Sequence, residues 1–274
     1  MTMSNKQVLQ FRQQGEGPDL VMLHGWGLNS GVYDKMSTAL SSSYRVTLID
    51  LPGYGDNNQC LPDTYDLQSC AKLVAEVLPE QCVLLGWSFG GLVAQQICLD
   101  YQHRINKLIL VASTPRFASL NSANASANAS AKTSEQWQGL QPEVLDLFMS
   151  SIQNTYKKTL DRFMAMQALG SESAKADIGI IKKAVSGYPD PDPLALEAGI
   201  QILKQADLRS RMQEITVPTL RIYGRLDSIV PEKAIPLIES VHPASDSVLI
   251  NHASHSPFIS HQDEFVTAIR AHIG

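Results

Sequence analysis

Residues 82–97 read C-V-L-L-G-W-S-F-G-G-L-V-A-Q-Q-I. The apolar run Cys82-Val83-Leu84-Leu85 predicts a strand and Leu92–Ile97 predicts a helix. Between them Gly86, Ser88, Gly90 and Gly91 spell G-x-S-x-G with an extra glycine. In that setting the pattern reads as a nucleophile on a sharp strand-to-helix turn, its side chain exposed. The reason is steric. The turn strains the backbone at its central residue, and neighbours two positions away must lack a Cβ because backbone segments approach closely. The helix that follows aims its first N–H groups at the same point, which favours a developing anion. A glycine-rich turn with an incidental serine is the alternative, but strand, glycines and helix all agree with the first reading.

Outward from this stretch, strand and helix patterns alternate. Gln7–Arg12 alternates as a first strand would, and Leu20–Leu23 is a second, apolar throughout as for a strand buried on both faces. It runs into His24-Gly25-Trp26-Gly27. A helix over Val32–Leu40, a strand over Tyr44–Ile49, the turn-rich Asp50-Leu51-Pro52-Gly53-Tyr54-Gly55 and a helix over Leu67–Leu78 follow, the last stopped by Pro79. After the serine turn its helix runs to about Tyr101, and Lys107–Val111 is the next strand. This predicts an α/β fold with a mostly parallel sheet and helices on both faces. Residues 119–134, S-L-N-S-A-N-A-S-A-N-A-S-A-K-T-S, have almost nothing to bury and read as a loop. Apolar residues from Pro142 to Leu203 (including Leu147, Phe148, Phe163 and Leu194) recur at helical spacing, as in several packed helices. The alternation resumes with a strand at Thr219–Tyr223 and a helix over Pro231–Val241, where Pro236 marks a kink or late start. A strand at Ser247–Ile250 and a helix over Glu264–His272 end the chain. The expected organisation is a core of 1–115 and 207–274 with a helical cap inserted at 116–206.

Bulk properties narrow the function. With 274 residues, 44% hydrophobic and 18% charged, the chain fits a globular protein with a sizeable core. A net charge of −5 argues against non-specific nucleic-acid binding, which needs a basic face. No signal-peptide core and no run of ~18 apolar residues is present, so no membrane association and a cytoplasmic location are expected. Cys60, Cys70, Cys82 and Cys98 lack zinc-site spacing and read as small buried hydrophobes. Neither H-E-x-x-H nor paired C-x-x-C occurs, so neither metal nor cofactor is expected. The sequons Asn124-Ala125-Ser126 and Asn128-Ala129-Ser130 mean little without a secretory signal.

A serine nucleophile needs a base and a group that orients the base. In such a sheet both come from loops at the carboxyl ends of later strands. Asp227 lies four residues past the Thr219–Tyr223 strand, where it either orients the base or caps the helix at Pro231. His252 and His255 both follow Ser247–Ile250, and spacing does not choose between them. His24, His103, His242, His261 and His272 fall in the wrong places for a base. Oxyanion donors are expected at the backbone N–H of Phe89 and of Trp26. The Trp26 ring either walls an acyl pocket or is a core tryptophan. His24 is expected to pin its own loop. A serine rather than an aspartate at the turn disfavours dehalogenation and epoxide opening, and the motif lacks the lysine and threonine of a phosphate loop.

H-G-W-G at 24–27, D-L-P-G-Y-G at 50–55, G-W-S-F-G-G at 86–91, Y-G-R-L-D-x-x-V-P at 223–231 and H-x-P-F-I-S-H at 255–261 resemble, in order, the α/β-hydrolase family. With R-F-M-A-M-Q-A-L-G at 162–170 the pattern is similar to the pimeloyl-acyl-carrier-protein methyl ester esterases of biotin synthesis. The resemblance implies a triad of Ser88, Asp227 and His255, oxyanion donors at Trp26 and Phe89, and Phe163 lining the acyl channel. It implies a monomeric serine esterase that frees the pimeloyl carboxylate while the acyl chain is still on acyl-carrier protein. That partner is acidic, so docking needs a local basic face. Between 150 and 188, six cations against three anions leave +3, with Lys158 and Arg162 on one helix face and Lys175 beyond. An ordinary solvated helix face would look much the same. The family carries arginines where this chain has Lys158, Lys175 and Gly179, which removes bidentate forks from the docking face. The rival activities are a broad short-chain carboxylesterase, a cofactorless C–C hydrolase or lyase, and a non-catalytic ligand receptor on the same fold.

Overall fold

The structure, a computed structural model, describes residues 8–120 and 136–274. Its strands are Phe11–Gln14 (β1), Asp19–Leu23 (β2), Arg45–Ile49 (β3), Cys82–Trp87 (β4), Ile105–Val111 (β5), Thr219–Gly224 (β6) and Ser245–Ile250 (β7). They form one sheet in the order β1-β3-β2-β4-β5-β6-β7. Only β1 runs antiparallel, against β3; every other pairing is parallel. The helices are Asp34–Leu40 (α1), Leu67–Val77 (α2), Phe89–Tyr101 (α3), Pro142–Gln167 (α4), Ala174–Val185 (α5), Pro193–Gln205 (α6), Ile235–Val241 (α7), Pro257–Ser260 (α8) and Gln262–Ile273 (α9).

β2 from Leu20, β4 and β5 from Leu108 read as unbroken apolar runs because both faces are covered. Val21, Leu23, Leu84, Leu108 and Leu110 join one core with α2 and α3, while Leu20, Met22, Val83, Leu85 and Ile109 join another with α1 and α9. This is the period of two along a strand, with both phases apolar. Cys60, Cys70, Cys82 and Cys98 are free and buried in the first core. Burial pushes the thiols of Cys70, Cys82 and Cys98 up to about 12, which leaves them as unreactive packing groups.

Several expectations are corrected. The first strand is Phe11–Gln14 rather than Gln7–Arg12, and all four of its residues are exposed. An edge strand with no buried face leaves no apolar alternation to locate it. Pro236 marks a late start: a 3₁₀ turn at Glu232–Ala234 precedes α7, and the proline falls in the first helical turn, where its missing N–H costs nothing. The helical spacing within 142–203 is real, but Leu147 and Leu194 are exposed rather than packed. Of the 119–134 stretch, Ser119 and Leu120 are described, and Leu120 exchanges two hydrogen bonds with Trp137. The remainder, with both sequons, lies outside the described residues. Among the described residues no helix is long and apolar enough to cross a membrane.

Behind the sheet, Arg221 of β6 is fully buried, and its Nη2 lies 3.1 Å from His242 Nδ1. A guanidinium only donates, so Nδ1 accepts and the ring proton sits on Nε2. Burial, and then the Arg221 charge, lower the His242 pKa from 6.5 to about 4. The unfolded chain therefore takes up a proton that the folded one refuses. Stability from this site is complete above pH 6.5 and is lost as pH falls from 6.5 towards 4. His242→Asn, which keeps an acceptor for Arg221 and cannot titrate, is expected to flatten the acid limb of Tm against pH in that window. An unchanged acid limb would contradict this account.

Candidate active site

Register brings the motif loops together. Leu23 pairs with Gly86, Trp87 with Val111, and Gly224 with Ile250. The chain therefore leaves β2, β4, β6 and β7 at one edge of the sheet, and 24–27, Ser88, Asp227 and His255 all lie just beyond it. Ligands of open α/β sheets bind at this edge.

Ser88 sits between β4 and α3 at φ 54, ψ −118, a conformation that L-residues rarely adopt. Its N–H donates to Val111 O at 2.9 Å, and its carbonyl accepts from the Gly91 and Leu92 N–H groups and from Ser113 Oγ. These bonds hold the strain in place. The flanking glycines are sterically required: a Cβ on Gly90 would lie 2.4 Å from His24 O, and one on Gly86 would lie 2.4 Å from Gly90 O. Ser88 itself is only 2% exposed, against the expectation of an exposed side chain. The serine turn is covered by neighbouring structure, which the motif alone does not reveal.

His255 Nε2 lies 2.8 Å from Ser88 Oγ, and Nδ1 lies 2.8 Å from Asp227 Oδ2. A carboxylate only accepts, so Nδ1 carries the proton and Nε2 faces the serine as an acceptor. Asp227 Oδ1 accepts from the Ile229 and Val230 N–H groups at 2.7 and 3.0 Å. The carboxylate thus orients the imidazole and caps its own turn at once. His252, the rival base, is exposed, and the ring bonded to the serine is that of His255. All three groups are almost fully buried, where hydrogen bonds between them are electrostatically stronger than in water.

The 24–27 loop is fixed from both sides. His24 is fully buried; its Nδ1–H donates to Gly25 O and its Nε2 accepts from the Leu51 N–H. It therefore ties this loop to 50–55, and burial lowers its pKa and keeps it neutral. Trp26 and Tyr54 donate from their rings to the carbonyls of Leu196 and Ala195 at the start of α6. Each carbonyl also belongs to the α6 ladder, so these ring bonds are second bonds that fix α6 against the two loops. The Trp26 and Phe89 N–H groups take part in no backbone hydrogen bond among the described residues. Phe163 of α4 packs edge-on against the Trp26 ring, with centroids 4.8 Å apart.

Lys158 and Arg162 are exposed on α4, and Lys175 is exposed near the start of α5. None has an ion-pair partner among the described residues. Lys157 and Lys182 do, with Asp190 at 3.1 Å and Asp161 at 2.6 Å. Asp161 is already in the count that leaves +3, whereas Asp190 lies outside it, so only the Lys157 pair lowers the local excess.

Sequence reasoning missed the groups that hold His255. Its N–H donates to Gln167 O at 3.1 Å, and its carbonyl accepts from the Trp87 indole at 2.8 Å. Ser228 Oγ likewise donates to Met166 O. Backbone acceptors leave no mark in a sequence, although Gln167 falls one helical turn after Phe163 and so on its face. Both polar atoms of the Gln167 amide are buried without a partner. No group of His, Cys, Asp or Glu among the described residues is arranged to hold a metal.

The α/β hydrolase fold family matches residues 18–262. A pimeloyl-acyl-carrier-protein methyl ester esterase of Aeromonas hydrophila is 44% identical over 260 residues, 95% of this chain and 97% of that protein. One of Vibrio vulnificus is 39% identical over 94% of each chain. Among solved structures, an esterase from Exiguobacterium antarcticum superposes with a TM-score of 0.82 at 22% identity, covering 96% of this chain and 94% of its own. An enol-lactonase from Burkholderia xenovorans gives 0.79 at 18% identity, covering 97% and 96%. At such identity these two speak for the fold alone. From its sequence match, its sheet order and its serine turn, the chain belongs to the α/β-hydrolase family.

Proposed function

We infer that this chain is a serine esterase that hydrolyses the methyl ester of a pimeloyl group carried on acyl-carrier protein. The Ser88–His255–Asp227 hydrogen-bond chain supports the chemistry, and curated relatives at 39–44% identity over nearly the whole chain support the substrate.

Ser88 Oγ attacks the ester carbonyl while its proton passes to His255 Nε2. Asp227 holds the imidazole in the tautomer that can accept it and stabilises the resulting imidazolium. The Phe89 and Trp26 N–H groups take the oxyanion, where charge appears only in the transition state. His255 returns the proton to the departing methoxide, and methanol leaves a pimeloyl ester on Ser88. A water then gives its proton to His255 and attacks the same carbonyl. The tetrahedral adduct collapses, the proton goes back to Ser88, and the free carboxylate is released.

Residues 116–206 act in this reading as a cap on a core formed by 1–115 and 207–274. Phe163 and the Trp26 ring bound the acyl channel, and the partnerless Gln167 amide is a polar group left for the ester. Lys158, Arg162 and Lys175 supply the cationic face for the acidic carrier.

Ser88→Ala should lower kcat by about 10⁴-fold or more on carrier-bound pimeloyl methyl ester, read by mass spectrometry as retention of the methyl group on the carrier. Undiminished demethylation would place the nucleophile elsewhere. Lys158→Glu combined with Arg162→Glu should raise KM for the carrier-borne ester about tenfold with kcat retained. An unchanged KM would remove α4 from the docking face.

A further inference from the structure

A groove of about 640 Å³ opens between α5, the turn that leads into α1, and the α8–α9 junction. Neither Ser88, Asp227 nor His255 lines it, nor do Trp26 and Phe89. Its volume lies within the roughly 300–1,000 Å³ typical of small-molecule sites. The gap is bounded by close packing: a Cβ on Gly31 would lie 2.4 Å from Ala184 O.

The lining has two characters. Of its apolar lining, Ile180 and Ile259 are half-buried, while Val32, Met36 and Phe258 are almost fully buried. Lys35 and Lys183 stand at the rim, exposed, with no ion-pair partner among the described residues. The acid in the lining, Asp34, is paired with Arg12 at 3.0 Å, so its charge is already balanced. An apolar-lined groove with two unbalanced ammonium groups matches an amphipathic monoanion and disfavours a cation. We propose that this groove is a second, non-catalytic site for a medium-chain alkyl carboxylate, its chain on Ile180 and on Ile259, the neighbour of Phe258 in α8, and its carboxylate between Lys35 and Lys183.

The lining also connects to the catalytic edge. The Phe258 ring packs edge-on against Trp87 with centroids 4.9 Å apart. The Trp87 indole in turn donates to the carbonyl of His255 at 2.8 Å. A chain pressed against Ile259 bears, through its neighbour Phe258, on the residue that positions His255, and occupancy is therefore read at the catalytic centre as a change in kcat. This is a chain of packed side chains with a ligand at one end, and coupling along it is measurable.

The test uses decanoate and the full-length protein with Ser88 blocked by an organophosphonate. Calorimetry should show saturable binding of one decanoate per chain to the blocked protein. Lys35→Glu combined with Lys183→Glu should weaken it by about tenfold or more, as expected for losing charge-assisted contacts. With unblocked enzyme, decanoate should change kcat for a short ester in a way that excess ester does not reverse. Binding abolished by the phosphonate would put the carboxylate in the acyl channel and overturn the proposal. Binding indifferent to both charge reversals would also overturn it. Purely competitive inhibition would overturn the coupling to His255.

Discussion

His255 is held from four directions, and the arrangement of the molecule around it follows from that. Its Nδ1–H goes to Asp227, its Nε2 accepts from Ser88, its backbone N–H goes to Gln167 O, and its carbonyl accepts from the Trp87 indole. The first two bonds set tautomer and direction; the last two fix where the ring starts from. A loop residue alone would sample several rotamers. Here the partners come from β4, from the β6 turn and from α4, so the imidazole inherits the rigidity of the sheet and of the helix above it.

The same logic ties the interposed helices to the sheet. The end of α4 accepts from the two loops that carry His255 and Ser228, while the start of α6 accepts from Trp26 and Tyr54. These are polar contacts made by backbone carbonyls, so they constrain position without demanding a particular side chain on the helix. In the proposed reading, the cap that shields the acyl-enzyme from bulk water also braces the base that deacylates it.

Much of this was legible in the sequence, for physical reasons that differ by residue. The serine turn is legible because only glycines fit at 86 and 90, and because a strand and helix must flank it. β2, β4 and the Leu108–Val111 part of β5 are legible because burial on both faces forces continuous apolar runs. β1 was misplaced since an exposed edge strand carries no such constraint. Asp227 reads as either a cap for the helix at Pro231 or the orienting group; it orients His255 and binds the Ile229 and Val230 N–H groups of its own turn, and makes no cap bond to that helix. That Phe163 lines an acyl channel comes from the family resemblance and not from spacing, and its packing against Trp26 is visible only in the structure. The Gln167 and Leu196 carbonyls were invisible, because every residue has one. The count of +3 along 150–188 already included Asp161; what it could not include is Asp190, which lies outside that stretch and pairs with Lys157 only in three dimensions.

The central claim is that the ester is recognised while it is on its carrier. It is tested most directly by kcat/KM of the unaltered enzyme for pimeloyl methyl ester on acyl-carrier protein, divided by that for the free pimeloyl ester, across a range of ionic strength. The account predicts a large ratio at low salt that falls as salt rises, because screening weakens attraction between a basic face and an acidic carrier. A ratio near unity that ignores salt would contradict it, and would leave a general esterase built on the same serine, histidine and aspartate.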